Sequence, residues 1–163
     1  HGMDDRPVET EHERKSISKE ITFNQDVADE AQLIETLKYI CNELGRDMRR
    51  EKVRGRTVSL KIRLADFSTF TRSVTAVTAM NDFDRIYQLA SELFYKFDRK
   101  QSRVRLLGVG LSNLGHEEGQ LDLFDAPAPD QRTDAVMDKI REQFGENAIT
   151  RASLIHSSSH SKF

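Results

Sequence analysis

The sequence predicts an α+β fold: one four-stranded sheet in the chain order β-α-β-β-α-β, with two helices on one face and a flexible C-terminal tail bearing a short helix. Three observations lead there. Val58, Leu60, Ile62 and Leu64 alternate strictly with Thr57, Ser59, Lys61 and Arg63, the two-residue period of a half-buried strand. Two longer segments repeat apolar residues every three or four positions, the period of an amphipathic helix. Each helical segment lies between strand patterns, and right-handed crossovers then put both helices on the same side of the sheet.

Residues 1–13 are polar, contain Pro7 and lack periodicity, so they read as a linker, with His1 and Gly2 ahead of Met3 as a tag remnant. In the first strand, Ile17, Lys19, Ile21 and Phe23 alternate with Ser16, Ser18, Glu20 and Thr22. Asp26 or Asp29 then caps a long helix carrying Leu33, Ile34, Leu37, Ile40, Cys41, Leu44 and Met48, expected to end near Gly55. The clear strand from Thr57 turns near Asp66 into a second one, from Ser68 to about Ala79, whose polar face holds Thr69, Thr71, Ser73 and Thr75. Asn81 or Asp82 caps the next helix, which bears Phe83, Ile86, Tyr87, Leu89, Ala90, Leu93, Phe94 and Phe97. A last strand runs from Arg103 to about Leu114, and Val136, Ile140 and Phe144 ahead of Gly145 mark the short tail helix. The Ser-rich end from Ser157 is expected to be disordered.

The composition bounds the function classes. Hydrophobic residues make up 37% and charged residues 32%, and no apolar run approaches the roughly 18 residues that span a bilayer, so a cytoplasmic protein without a membrane partner is expected. The acidic, polar start has no signal-peptide pattern. Cys41 is the sole cysteine, so there is no disulfide framework and no thiolate metal site. The net charge of −2 conceals an asymmetry: Arg14 to Gly115 holds 19 Lys and Arg against 13 Asp and Glu, so the body is basic and the tails are acidic. A basic body suits a polyanionic partner, with a merely solvated surface as the alternative.

Placing both helices on one side leaves the other sheet face open. The side chains expected there are Ser16, Ser18, Thr57, Ser59, Lys61, Arg63, Thr69, Thr71 and Ser73. Small hydroxyls allow close approach of a backbone and donate to phosphate oxygens, while Lys61 and Arg63 add charge. Single-strand readers with the same order of elements stack bases on aromatic rings of the first and third strands. None of the positions named is aromatic, which favours a duplex; plain β-propensity with solvation is the other explanation of the hydroxyls.

After the last strand, Gln120, Leu121, Asp122, Leu123 and Phe124 form a short apolar run between a polar Gly stretch and an acidic Pro stretch. It resembles the pentapeptide with which bacterial replication and repair proteins dock on the sliding clamp. Two Leu and one Phe are worth roughly 5 to 8 kcal/mol of burial, and ordering the loop costs ~1 to 2 kcal/mol per residue. A weak, exchangeable tether results. The other reading is a staple of the loop onto its own domain.

Three further stretches carry a wider resemblance: Lys15 to Phe23, Phe70 to Thr75, and Arg103 to Leu114. Together and in this order they resemble the little finger domain of Y-family DNA polymerases, most closely the polymerase IV branch, where a clamp-binding peptide also follows the fold. The resemblance spans about residues 14–124, and Asp138 to Leu154 is similar to tails of that branch. It implies a domain lying along the major groove of primer-template duplex DNA. Its implied contacts are the strand start from Lys15 to Lys19, the hairpin residues Thr71, Arg72 and Ser73, and Arg103 and Arg105. Some members carry two adjacent basic residues on the last strand; here Arg105 is followed by Leu106.

No catalytic residue or metal ligand is expected in this chain. The resemblance implies a parent nucleotidyltransferase using Mg, whose carboxylate cluster belongs to a palm without a counterpart here. Gly108 and Gly110 lack the third glycine and following helix of a dinucleotide loop and read as close strand packing. His156 and His160 fall by accident in a Ser-rich tail, and Asp82 and Asp84 read as a helix cap and its dipole partner.

The expected organisation is a linker (1–13), a DNA-binding little finger domain (14–115), a clamp-binding loop (116–132), a tail with a short helix (133–155) and a disordered end (156–163). The expected function is that of a monomeric, non-catalytic piece of a translesion DNA polymerase that grips duplex DNA and tethers to the clamp. The alternative is a free-standing ferredoxin-like adaptor for RNA or protein, since such a scaffold hosts many functions.

Overall fold

The computed structural model describes residues 15–116 and 129–144, with side chains of the last segment from 133 to 143. The elements are β1 (Ser16–Val27), α1 (Glu30–Arg50), β2 (Val53–Leu64), β3 (Thr69–Met80), α2 (Phe83–Lys96), β4 (Val104–His116) and α3 (Pro129–Phe144). The strands form one sheet in the order β1-β4-β2-β3, antiparallel at every contact. The first and third strands, where a single-strand reader would carry its stacking rings, are therefore the two edges.

The alternation in β2 sends Val58, Leu60, Ile62 and Leu64 into the core, where they meet Leu107, Val109 and Leu111 of β4. Above them lie Leu33, Leu37, Ile40, Leu44 and Met48 of α1 and Ile86, Ala90 and Phe94 of α2. Both helices thus cover one face, as expected. Cys41 is fully buried in this layer, and burial pushes its thiol far above the ordinary value. Its reaction with a thiol reagent should therefore proceed at the rate of unfolding; labelling much faster than loss of near-ultraviolet dichroism would contradict this packing.

Two boundaries differ from the sequence expectation. The first helix ends at Arg50, not near Gly55, because Lys52 takes a left-handed φ of 58° while the Glu51 and Lys52 amides close back onto Asp47 and Arg49 carbonyls. Gly55 instead sits inside β2, where an added Cβ would meet the Leu111 and Leu114 side chains and the Ser112 carbonyl at 3.0 Å. Its role is close strand packing. Of the proposed caps, Asp29 occupies the N-cap of α1 without a side-chain bond, Asp26 lies within β1, and the Asp82 carboxylate accepts the Arg85 amide at 3.1 Å.

The β2–β3 turn is tied by Asp66, which accepts both the amide and the hydroxyl of Ser68. These bonds hold the Asp66 carboxyl below its ordinary 3.8. A lowered folded value means that the turn's gain from Asp66 is complete above the ordinary value and is lost as pH falls through the lowered one. In an NMR titration Asp66 should titrate below an unperturbed Asp, and Ser68→Ala should return it toward the ordinary value; an unmoved midpoint would dissociate the shift from these bonds.

The tail helix differs more. It begins at Pro129, and its exposed and buried sides do not follow the Val136, Ile140 and Phe144 stripe: Val136 is 56% exposed, while Asp134, Met137 and Arg141 are buried. The reason is ionic. Arg49 of α1 makes a bidentate pair with Asp138, approaches Asp134 at 3.5 Å and donates to the Asn81 carbonyl at 2.6 Å. Asp134 also accepts the Phe83 amide at 2.9 Å, so a carboxylate from α3 joins Asp82 at the N-terminus of α2, where the helix dipole favours negative charge. α3 thus docks on the helix layer, away from the open sheet face.

Candidate nucleic-acid interface

Antiparallel partners point to the same side, so the register of the sheet sorts its open face into four cross-strand rows. They are Ser16, Ser112, Thr57 and Thr75; Ser18, Gly110, Ser59 and Ser73; Glu20, Gly108, Lys61 and Thr71; and Thr22, Leu106, Arg63 and Thr69. All nine positions expected on the open face fall in these rows. Their hydroxyls face solvent on the edge strands, and several are oriented by neighbours: Thr57 and Thr75 share a bond of 2.8 Å, Asn113 donates to Thr57 at 2.6 Å, and Arg63 donates to Thr69 at 2.9 Å.

The middle of this face is a trough. A Cβ added at Gly110 would lie 3.2 Å from both the Ser18 Cβ and the Ser59 hydroxyl, and one at Gly108 would lie 3.0 Å from the Glu20 Cβ. Glycine therefore lets the neighbouring side chains lean over β4, and the face stays flat enough for another backbone to approach. A Gly110→Val change should cost about 1 to 3 kcal/mol by overpacking, read as a lower midpoint in denaturant. An unchanged midpoint would mean that Ser18 and Ser59 yield without strain.

The cations are distributed less simply than the strand pattern suggests. Lys61 and Arg63 are on the open face, and Lys61 pairs with Glu20 at 3.3 Å. Lys19 points to the helix side, where it pairs with Asp47 of α1 at 2.9 Å. Arg72 shares that side with its partner Leu60 and lies over the rings of Phe70 and Phe97, at 5.8 and 5.6 Å. Lys15 precedes β1 and Arg103 precedes β4, both exposed. Arg105 occupies a bulge, because β4 spends two steps between Leu106 and Val104 where β2 spends one between Arg63 and Leu64. There it pairs with Asp26 at 3.2 Å and lies 4.3 Å from the ring centre of Phe67, with its Nε buried and unbonded. Leu106, next along, takes the open-face position and is buried.

Of the expected contacts, the structure brings together the hydroxyl rows with Lys61 and Arg63 and puts Lys19 and Arg72 on the other side of the sheet. It omitted Glu20 and Asp26, although Glu20 has the parity of Ser18 and Thr22. Phe67 was also missed; its left-handed φ of 69° places it in a turn where no periodicity applies. The run Gln120, Leu121, Asp122, Leu123 and Phe124 lies outside the described residues, as do His156 and His160. Among the described residues no group of three or more His, Cys, Asp or Glu is placed to hold a metal, and no helix is long and apolar enough to cross a membrane.

Comparison with known proteins places this geometry. The chain is 38% identical over 159 residues to a protein of Desulfatibacillum aliphaticivorans called DNA polymerase IV, covering 94% of this chain and 40% of that relative. A protein of the same name from Dehalococcoides mccartyi strain CBDB1 is 37% identical over 149 residues, covering 91% and 38%. The chain therefore spans about two fifths of the length of these relatives. The fold matches a solved little finger domain of PolIV, from a complex with the beta-clamp processivity factor, at a TM-score of 0.51 and 15% identity over 60% of this chain and 86% of that one. Residues 14–123 match the model of the impB/mucB/samB family C-terminal domain, and the chain accordingly belongs to that family.

Proposed function

We propose that the chain is the duplex-gripping and clamp-tethering part of a translesion DNA polymerase, and that it contributes position rather than chemistry. The observation that carries this reading is the open face: four rows of small hydroxyls, a glycine trough and the cations Lys61 and Arg63, with no aromatic ring among the row residues. Such a surface suits the regularly spaced phosphates of a duplex and offers no platform for splayed bases. The names of the relatives support a parent DNA-directed DNA polymerase, and in this reading the parent's nucleotidyl transfer uses Mg held by carboxylates that are not part of this domain. The solved little finger bound to a clamp supports the same partner for Gln120 to Phe124.

In this reading the body holds primer-template duplex without reading its sequence, and the clamp peptide raises the local concentration of a distributive enzyme at the primer end. The test is fluorescence anisotropy with a short mixed-sequence duplex and the matching single strand across a salt series. Roughly five neutralised phosphates give a slope of log K on log salt near −4 to −5, with the duplex preferred. Binding that is flat in salt, or a preference for the single strand, would overturn the phosphate grip and favour an adaptor.

A further inference from the structure

Both carboxylates of β1 hold a cation that belongs to an inner strand. Glu20 reaches across β4 to Lys61 on β2, at 3.3 Å. Two strand spacings separate them, about 10 Å of backbone, and the contact exists because the residue between them in the row is Gly108, where a Cβ would meet Glu20 Cβ at 3.0 Å and its Oε2 at 3.6 Å. At the end of the sheet Asp26 holds Arg105 of the adjacent β4, at 3.2 Å, while Phe67 covers the guanidinium from its face. The opposite arrangement holds for the third charged residue of the strand: Lys19 is turned away to Asp47.

We infer that Glu20 and Asp26 are built-in phosphate mimics, which occupy Lys61 and Arg105 in the unbound domain and must be displaced when a nucleic-acid backbone docks. The inference rests on the duplex-binding reading above. Its physical basis is competition for the same donors: a carboxylate and a phosphate oxygen both take the Lys61 ammonium, and a bound phosphate leaves Glu20 unpaired beside a polyanion. The bereaved carboxylate then takes up a counterion, which cancels about one of the ions that Lys61 would otherwise release. Because the Lys61 and Glu20 side chains are 38% and 49% exposed, the pair is weak and opens readily. This pair therefore lowers affinity without blocking binding, which suits a grip that must let the duplex slide, while the Arg105–Asp26 pair, at 33% and 20% exposure, is the tighter of the two.

The experiment measures duplex affinity and its salt slope for the whole chain and for Glu20→Gln, Asp26→Asn and Glu92→Gln. Glu92, exposed on α2 in the helix layer, supplies the same change of net charge on the far side of the sheet. Glu20→Gln and Asp26→Asn should each bind about two- to tenfold more tightly at moderate salt, with a slope steeper by about 0.9, while Glu92→Gln stays near the parent. In the Glu20→Gln/Lys61→Gln double variant the gain should vanish. Equal gains from Glu92→Gln, no gain at all, or a loss on removing Glu20 would each overturn the inference while leaving the duplex reading intact. Absence of salt-dependent duplex binding by the parent chain would instead overturn the duplex reading, and the inference with it.

Discussion

Arg49→Ala should release α3 from the body. Removing the guanidinium with the helix in place would leave Asp134, 2% exposed, with the Phe83 amide and Asp138, 23% exposed, with the more distant Arg46 and Arg141 at 4.0 and 3.9 Å, and removing one partner of a buried pair costs about 3 to 5 kcal/mol. Among the described residues the buried apolar side chain of α3 is Met137, worth roughly 1.5 to 3 kcal/mol. The ionic loss is the larger, so undocking is the cheaper outcome. In hydrogen exchange, amides of 133–143 should then lose protection while those of β2 and β4 keep theirs, since the sheet and its core make their contacts without α3. The Phe83 amide, deprived of the Asp134 acceptor, should exchange faster as well. Unchanged protection in α3 would mean that Met137 and its neighbours suffice.

Replacing Leu123 and Phe124 together by Ala should abolish binding to a bacterial sliding clamp. Each side chain is worth roughly 1.5 to 3 kcal/mol when it enters an apolar pocket, so the double change should weaken the complex by about a hundredfold or more at 1.4 kcal/mol per factor of ten. From a micromolar start, little binding would remain. Duplex affinity should be unaltered, because no row of the open face includes these residues. A titration of both forms against purified clamp decides the matter: retained binding would return Leu121, Leu123 and Phe124 to an intramolecular role. The two experiments bear on one another, for the run lies in sequence between the end of β4 at His116 and the start of α3 at Pro129. Arg49→Ala therefore changes one of its anchors without touching the peptide itself.

Much of the architecture is legible in the sequence. The alternation in β1, β2 and β3, the three-four spacing in α1 and α2, and the Asp82 cap are local signals, and local signals specify which face of an element is apolar. Since a strand's period is two, the same pattern that buries Leu60 and Ile62 also assigns Ser59, Lys61 and Arg63 to the other face. The hydroxyl surface followed from that parity alone. Resemblance then added the family, which the match over residues 14–123 bears out.

What the sequence by itself determined, then, is the order of the elements, the side of each that is buried, and the family to which they belong. Which strands lie side by side and which charges meet were decided only by the tertiary structure. Lys61 and Glu20 are 41 residues apart, Arg105 and Asp26 are 79, and Arg49 and Asp138 are 89. An ion pair carries no periodicity and no fixed spacing along the chain, so it leaves no mark in a local pattern. The Glu20–Lys61 pair appears once the order β1-β4-β2-β3 sets its strands two places apart, and the single glycine at 108 in the intervening strand lets the partners touch.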